Sequence, residues 1–160
     1  MLALVFDLGT ERFAVAARAV HEVVRRPPTR TVLGAPPWIE GLFAWGDAWL
    51  PLVDMAHLVT GEPCPDAASS RVAIVDRALA ADVANGAERV RKRPMGLLAP
   101  GMTRVIDLGD APTSAGLRME GLDFLGPIVR SDRYGVQLID VDRIVPPHLD
   151  AMLFEAGSEP

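Results

Sequence analysis

The stretch Gly41-Leu-Phe-Ala-Trp-Gly-Asp-Ala-Trp-Leu-Pro-Leu-Val-Asp-Met55 decides how the chain folds. Two apolar runs flank Gly46-Asp47, a dipeptide suited to a tight hairpin. Asp54 then opens a helical pattern in Met55, Leu58 and Val59 that stops at Gly61. The same grammar returns in the second half as Gly121-Leu-Asp-Phe-Leu-Gly126 and Leu138-Ile-Asp-Val-Asp-Arg-Ile-Val145. Gly41-Leu42 matches Gly121-Leu122, Trp45-Gly46 matches Leu125-Gly126, and Leu52-Val53-Asp54 matches Leu138-Ile139-Asp140. Two copies of one small β unit on a common core are therefore expected. Asp54 and Asp140 read as helix N-caps, each worth on the order of 1 kcal/mol.

Outward from this unit, Leu2, Leu4, Phe6 and Leu8 alternate with Ala3, Val5 and Asp7, the pattern of a strand buried mainly on one face. Gly9-Thr10 turns the chain into a second strand carrying Phe13 and Val15. Ala16, Val20, Val23 and Val24 fit either a short helix or a strand. Between Pro27-Pro28 and Pro36-Pro37 a crossing loop is expected, with Leu33 as its buried plug. Residues 38–41 read as one helical turn ending on glycine, and Pro51 places its strand at an edge or a bulge. Val72 to Val75 pairs with Met95 to Ala99 around a long insertion, helical near residues 79–83 and turning at Asn85-Gly86. Val105, Ile106 and Leu108 form another strand, and a last hairpin runs through Phe124 to Ile139. Pro146-Pro147 ends the final helix, and Leu149, Met152, Leu153 and Phe154 lay a tail back on the body. Short strands at this spacing predict an all-β barrel architecture with short helices.

At 160 residues, 49% hydrophobic and 23% charged, the chain is globular and long enough for one domain or two small lobes. Its net charge of −5 is spread without long runs, which argues against a nucleic-acid footprint or a polybasic membrane anchor. Arg89, Arg91, Lys92 and Arg93 make the only dense basic cluster and read as a solvated loop. A single cysteine, Cys64, excludes an internal disulfide and has no companions for a metal. The opening Met1-Leu-Ala-Leu-Val-Phe-Asp7 is too short for a signal segment, so a cytoplasmic location is expected.

Catalysis leaves recognisable spacing, and none is present in the sequence. His21, His57 and His148 do not stand at metal-ligand spacing, the glycines build no phosphate cradle, and the serines sit in ordinary loops. No catalytic, cofactor-binding or metal-binding residue is assigned. The alternative is a small enzyme or ligand-binding barrel whose site is assembled from distant residues. The aromatic concentration points instead to a partner: Trp38, Trp45 and Trp49 crowd around the Gly46-Asp47 hairpin. Trp38 reads as core, while strand alternation turns at least one of Trp45 and Trp49 outward, beside a charge, as a binding anchor.

With these elements in place the chain resembles the CheW-like coupling proteins of bacterial chemosensory arrays. The resemblance rests on Phe6-x-Leu8-Gly9 with Phe13-x-Val15, Val20-His-Glu22-Val23, Leu33-x-x-Pro36 with Gly41, Pro51-x-Val-Asp54-Met, Met95-Gly-Leu-Leu-x-Pro-Gly-Met102 and Leu138-Ile-Asp140. It implies two SH3-like five-stranded barrels packed on a shared core, within one domain over residues 1–148. Barrel one would cover about 14–64 and barrel two 65–145 plus the N-terminal strand, with 149–160 as a tail. It also implies a non-catalytic adaptor, without cofactor, between the cytoplasmic tip of a methyl-accepting chemoreceptor and the regulatory domain of a chemosensory histidine kinase. Neither nucleic acid nor direct membrane contact is implied. Carried over by position, Val20 and Glu22 match the receptor-contacting surface, next to Trp45, Gly46, Asp47 and Trp49. The chain departs from the family at this hairpin, where Asn-x-Arg-Gly is usual and Ala44-Trp45-Gly46-Asp47 stands here, removing a multidentate cation. The compact form, the Gly61-Glu-Pro-Cys64 linker and the Leu153-Phe154 ending are similar to the second adaptors of Wsp-type surface-sensing systems.

Overall fold

The computed structural model describes residues 1–78, 82–84, 87–89, 92–109, 113–114, 122–131 and 134–156. In chain order the strands are β1 (Leu2–Leu8), β2 (Glu11–Ala16), β3 (Val20–Arg25), β4 (Ile39–Trp45), β5 (Ala48–Asp54), β6 (Ser70–Ala78), β7 (Asp82–Ala84), β8 (Ala87–Arg89), β9 (Lys92–Pro100), β10 (Arg104–Asp107), β11 (Thr113–Ser114), β12 (Leu125–Ser131) and β13 (Tyr134–Ile139). Helices α1 (Met55–Thr60) and α2 (Pro147–Ala156) and 3-10 turns at Ala17–Ala19 and Val141–Arg143 complete the described elements. Among the described residues no helix is long and apolar enough to cross a membrane.

The repeat is visible in the pairing. One sheet runs β3-β6-β9-β5-β4 and the other β10-β1-β2-β13-β12, with the short β11 as a sixth strand beside β12. In both, two antiparallel ladders lead to one parallel ladder, β5 on β9 or β13 on β2, and then to an antiparallel hairpin. Asp54 N donates to Trp38 O at 2.8 Å, and Asp140 N donates to Phe124 O at 2.8 Å. Each sheet also curls onto itself in the same manner. Arg30, beyond β3, exchanges two backbone bonds with Leu42 on β4, and β11, beyond β10, pairs with Ile128 on β12. The protein is thus mainly β, with two barrels built from one duplicated pattern.

This geometry aligns Trp38 with Phe124 and Ile39 with Leu125, because Ile39 faces Val53 as Leu125 faces Ile139. The sequence match of Gly41-Leu42 to Gly121-Leu122 is out of step, since turn glycines recur often enough to hide a slip; Gly121 itself lies outside the described residues. The division between sheets also falls near residue 100, not at 64. β6 and β9 join the first sheet, because β5 needs a parallel neighbour and a parallel partner must come from a crossover, not from a tight turn.

Several local expectations are corrected. Leu33 is 91% exposed, and Val32 and Ala35 pack on the core in its place. Residues 38–41 do not form a helical turn. β4 begins at Ile39, and a bulge between Ile39 and Gly41 gives Gly41 a φ of 147°. A Cβ on Gly41 would lie 2.4 Å from Arg30 O, so the closing bridge itself demands glycine. Pro51 is on an interior strand, but the ladder from β5 to β9 starts only at Leu52, so its missing N–H interrupts no pair of that ladder. Val83 belongs to a strand, not a helix, while residues 79–81 and the turn Asn85-Gly86 lie outside the described residues. Pro147 starts α2 instead of ending a helix, as its fixed φ and absent N–H suit a first helical position.

β1 is buried on both faces, against the expected single face. Leu4, Phe6 and Leu8 join Phe13, Val15, Phe43, Leu52, Leu97 and Phe124 in the main core, which spans both sheets. Ala3 and Val5 join Ala14, Val129 and Val136 in a smaller cluster. The small side chains of Ala3 and Ala14 give strands on this side room to approach.

The two caps are unequal. Asp54 is 3% exposed and accepts from His57 N at 3.0 Å and from Cys64 N at 2.8 Å, holding both the start of α1 and the linker behind it. Gly61 closes α1 in the left-handed conformation, its N–H bonded to His57 O. Asp140 accepts from Asp142 N at 3.1 Å, in a 3-10 turn instead of an α-helix, and its side chain is 43% exposed. Asp54→Ala should therefore cost about 2–3 kcal/mol and Asp140→Ala about 1 kcal/mol or less. Urea denaturation of the two variants measures the difference, and equal losses would contradict this assignment.

Candidate partner-binding surface

The six residues expected to meet a partner lie around the tip of the β4–β5 hairpin and the β3 strand. The hairpin forms because Gly46, at φ 58°, turns the chain in a conformation that residues with a Cβ avoid. From there the pleat sorts the tryptophans. Phe43 opposite Leu50 faces inward, Ala44 opposite Trp49 faces outward, and Trp45 opposite Ala48 returns to the inner side. Trp49 is 41% exposed, whereas Trp45 is half-buried and packs on the main core, as Trp38 does. Gly46, Asp47 and Glu22 are exposed, and Val20 is half-buried against the main core.

Trp45 is tied to β3. Its indole Nε1 donates to Glu22 Oε1 at 2.5 Å across the seam where the first barrel closes. The His21 ring lies against the indole, with centroids 5.6 Å apart and planes tilted by 45°. His21 Nε2 is 2.7 Å from Asp76 Oδ1 on β6. The spacing of the histidines argues against metal binding but does not reveal this contact. The cause is a bulge: Val20 faces Val75 and Glu22 faces Ile74, which leaves His21 as the extra residue. Such an insertion is set by pairing, not by composition, so period-two reading could not reveal it.

Glu22, Trp45 and Val20 thus share one side of the tip, Trp49 lies on the other, and Gly46-Asp47 stands between them. Asp76 also lines a cleft of about 500 Å³ between the two sheets. Ala16, Arg18, Ala19, Ile139, Asp140 and Asp142 also line it. The surface thus presents an exposed tryptophan, an acidic tip and, nearby, a cleft edged by Asp76, Asp140 and Asp142.

Features that would support chemistry are poor. Among the described residues no group of three or more His, Cys, Asp or Glu is placed to hold a metal. Cys64 is buried, with Ser70 Oγ at 3.5 Å. Burial pushes its thiol pKa above the ordinary value, against the smaller opposite pull of the Ser70 hydrogen bond. A protonated, covered thiol is a weak nucleophile.

A model of the CheW-like domain matches residues 2–147. The chain belongs to the CheW-like family. This is a family of scaffold and adaptor proteins, which accords with the lack of catalytic spacing in the sequence. Among solved structures the fold is similar to the scaffolding protein TtCheW from Thermoanaerobacter tengcongensis, with a TM-score of 0.68 and 21% identity. That match covers 86% of this chain and 82% of the other. No curated protein matches the sequence. Within the CheW-like frame, α2 begins at the last matched residue and runs beyond it.

Glu22→Ala should free the Trp45 indole with little loss of stability, below about 1 kcal/mol for an exposed charge-assisted bond. Stern–Volmer quenching by acrylamide is expected to rise relative to the wild type while the melting curve holds. Unchanged quenching would mean that Glu22 does not shield Trp45 in solution.

Proposed function

We propose that the protein is a non-catalytic, cytoplasmic scaffold adaptor that couples the tip of a methyl-accepting chemoreceptor to the regulatory domain of a chemosensory histidine kinase. The observation that carries this reading is the family match over residues 2–147, which takes in both barrels and the hairpin surface. The receptor side would be Val20, Glu22, Trp45, Gly46, Asp47 and Trp49, with Trp49 as the exposed aromatic anchor.

The altered hairpin sets the specificity. Without the arginine usual in the family, contact relies on aromatic burial and on Asp47, and a receptor side chain suited to arginine would meet a carboxylate unpaired. Basic or apolar receptor tips are favoured, and general chemotaxis receptors are avoided. The turn has moved in step, since Gly46 occupies the arginine position at a positive φ with open space beside it. Restoring arginine alone would strain the turn by about 1 kcal/mol or more.

Calorimetry should detect binding to the regulatory domain of the kinase encoded beside it, and no binding at high micromolar concentration would refute the adaptor role. For the receptor side, the wild type and the double variant Gly46→Arg/Asp47→Gly are compared on the protein's own receptor tip and on a general one. The wild type should prefer its own receptor and the double variant should lose that preference. Equal wild-type binding to both, or tighter own-receptor binding by the variant, would overturn the specificity argument.

A further inference from the structure

The end of β6 is held from three directions by three consecutive residues. Asp76 pairs with His21, and through it with the Trp45 and Glu22 contact. Arg77 is only 3% exposed; it donates to both oxygens of Asp150 on α2, one of them at 2.9 Å, and to Val145 O at 2.9 Å. Ala78 N donates to Asp142 Oδ1 at 2.7 Å. Alternation along β6 puts Asp76 and Ala78 on one face and Arg77 on the other. The strand end is therefore gripped by β3 and by the 3-10 turn on one face and by α2 on the other.

We propose that Arg77 and Asp150 form a latch by which α2 fixes the first barrel against the second, so that the C-terminal helix sets the geometry of the partner surface from the opposite face. α2 follows the second barrel in the chain but seats Leu149 and Leu153, 6% and 1% exposed, in the core common to both sheets. All of α2 but its first residue, Asp150 included, lies beyond the residues matched by the family model. The cleft between the sheets is lined by Asp76, Ala78, Asp140 and Asp142, two of which are the bonded pair of Ala78 and Asp142. A buried guanidinium does not slide: removing its carboxylate leaves a desolvated charge, and the strand end must move to solvate it. Arg77 and Asp150 are thus positioning residues for a surface they do not touch.

The part of this inference that concerns partner affinity rests on the adaptor reading, so two readouts are used. Hydrogen exchange in the unbound full-length protein needs no partner. Asp150→Ala should speed exchange in Val20–Arg25 and around residues 45–47 as well as in α2, whereas Met152→Ala, on the 36% exposed side of the helix, should leave β3 as in the wild type. Affinity for the receptor tip should fall by about fivefold or more in Asp150→Ala. If Asp150→Ala does not fold, the neutral pair Arg77→Gln/Asp150→Asn, which weakens the grip without stranding a buried charge, should still speed exchange in α2 and, to a smaller extent, in Val20–Arg25. Faster exchange confined to α2 and residues 145–150, with β3 and affinity unchanged, would overturn the latch. A wild type that binds no receptor tip would refute the adaptor reading and leave the exchange result to decide the latch alone.

Discussion

Everything in this molecule depends on a parallel ladder made twice. β5 lies on β9 and β13 lies on β2, and in each case the partner is distant in sequence. Antiparallel neighbours can be supplied by turns, but a parallel neighbour cannot, so the chain must leave the hairpin and return. The first barrel obtains its partner from residues that follow it. The second obtains its partner from the start of the chain. This exchange is what draws β1 and β2 into the second barrel and buries β1 between two clusters of apolar side chains.

The buried polar contacts serve the same assembly. Asp54 satisfies two backbone amides where the chain leaves β5, one in α1 and one in the linker that carries it toward β6. Arg26 on the β3 side reaches the linker carbonyls of Cys64 and Pro65 while pairing with Glu40 on β4. The crossover is thus fastened at its first turn and again at Cys64–Pro65. The crossing segment is held by backbone groups and a few charges.

What the sequence reveals follows from what is local. The strands β1, β2, β5, β6, β9, β10, β12 and β13 and the hairpin at Gly46-Asp47 announce themselves by alternation and turn chemistry, and Asp54 announces itself as a cap. That at least one of Trp45 and Trp49 turns outward follows from the pleat alone, and the register that sets Ala44 opposite Trp49 decides for Trp49. The misreadings share a cause. Leu33 is apolar, yet its loop packs through Val32 and Ala35; residues 38–41 end on a glycine as a helical turn does, yet that glycine serves a bulge and a closing bridge. His21 gains its partners from another bulge, and Arg77 gains Asp150 from the far end of the chain. Bulges and long-range ion pairs are decided by tertiary pairing, and a single sequence does not display them.

The burial of β1 has a consequence for the order of events during synthesis. The β1–β2 hairpin emerges first, carrying Leu4, Phe6 and Phe13, but its parallel partner β13 ends only at Ile139. The first barrel has all its strands once Pro100 has emerged, whereas the second must wait for nearly the whole chain with its opening hairpin uncovered. Apolar edges held open over such a span invite pairing with other chains and make folding slow. Docking of β1 on the finished first barrel, through the Leu4 and Phe6 face that it buries there, would cover that face before β13 arrives.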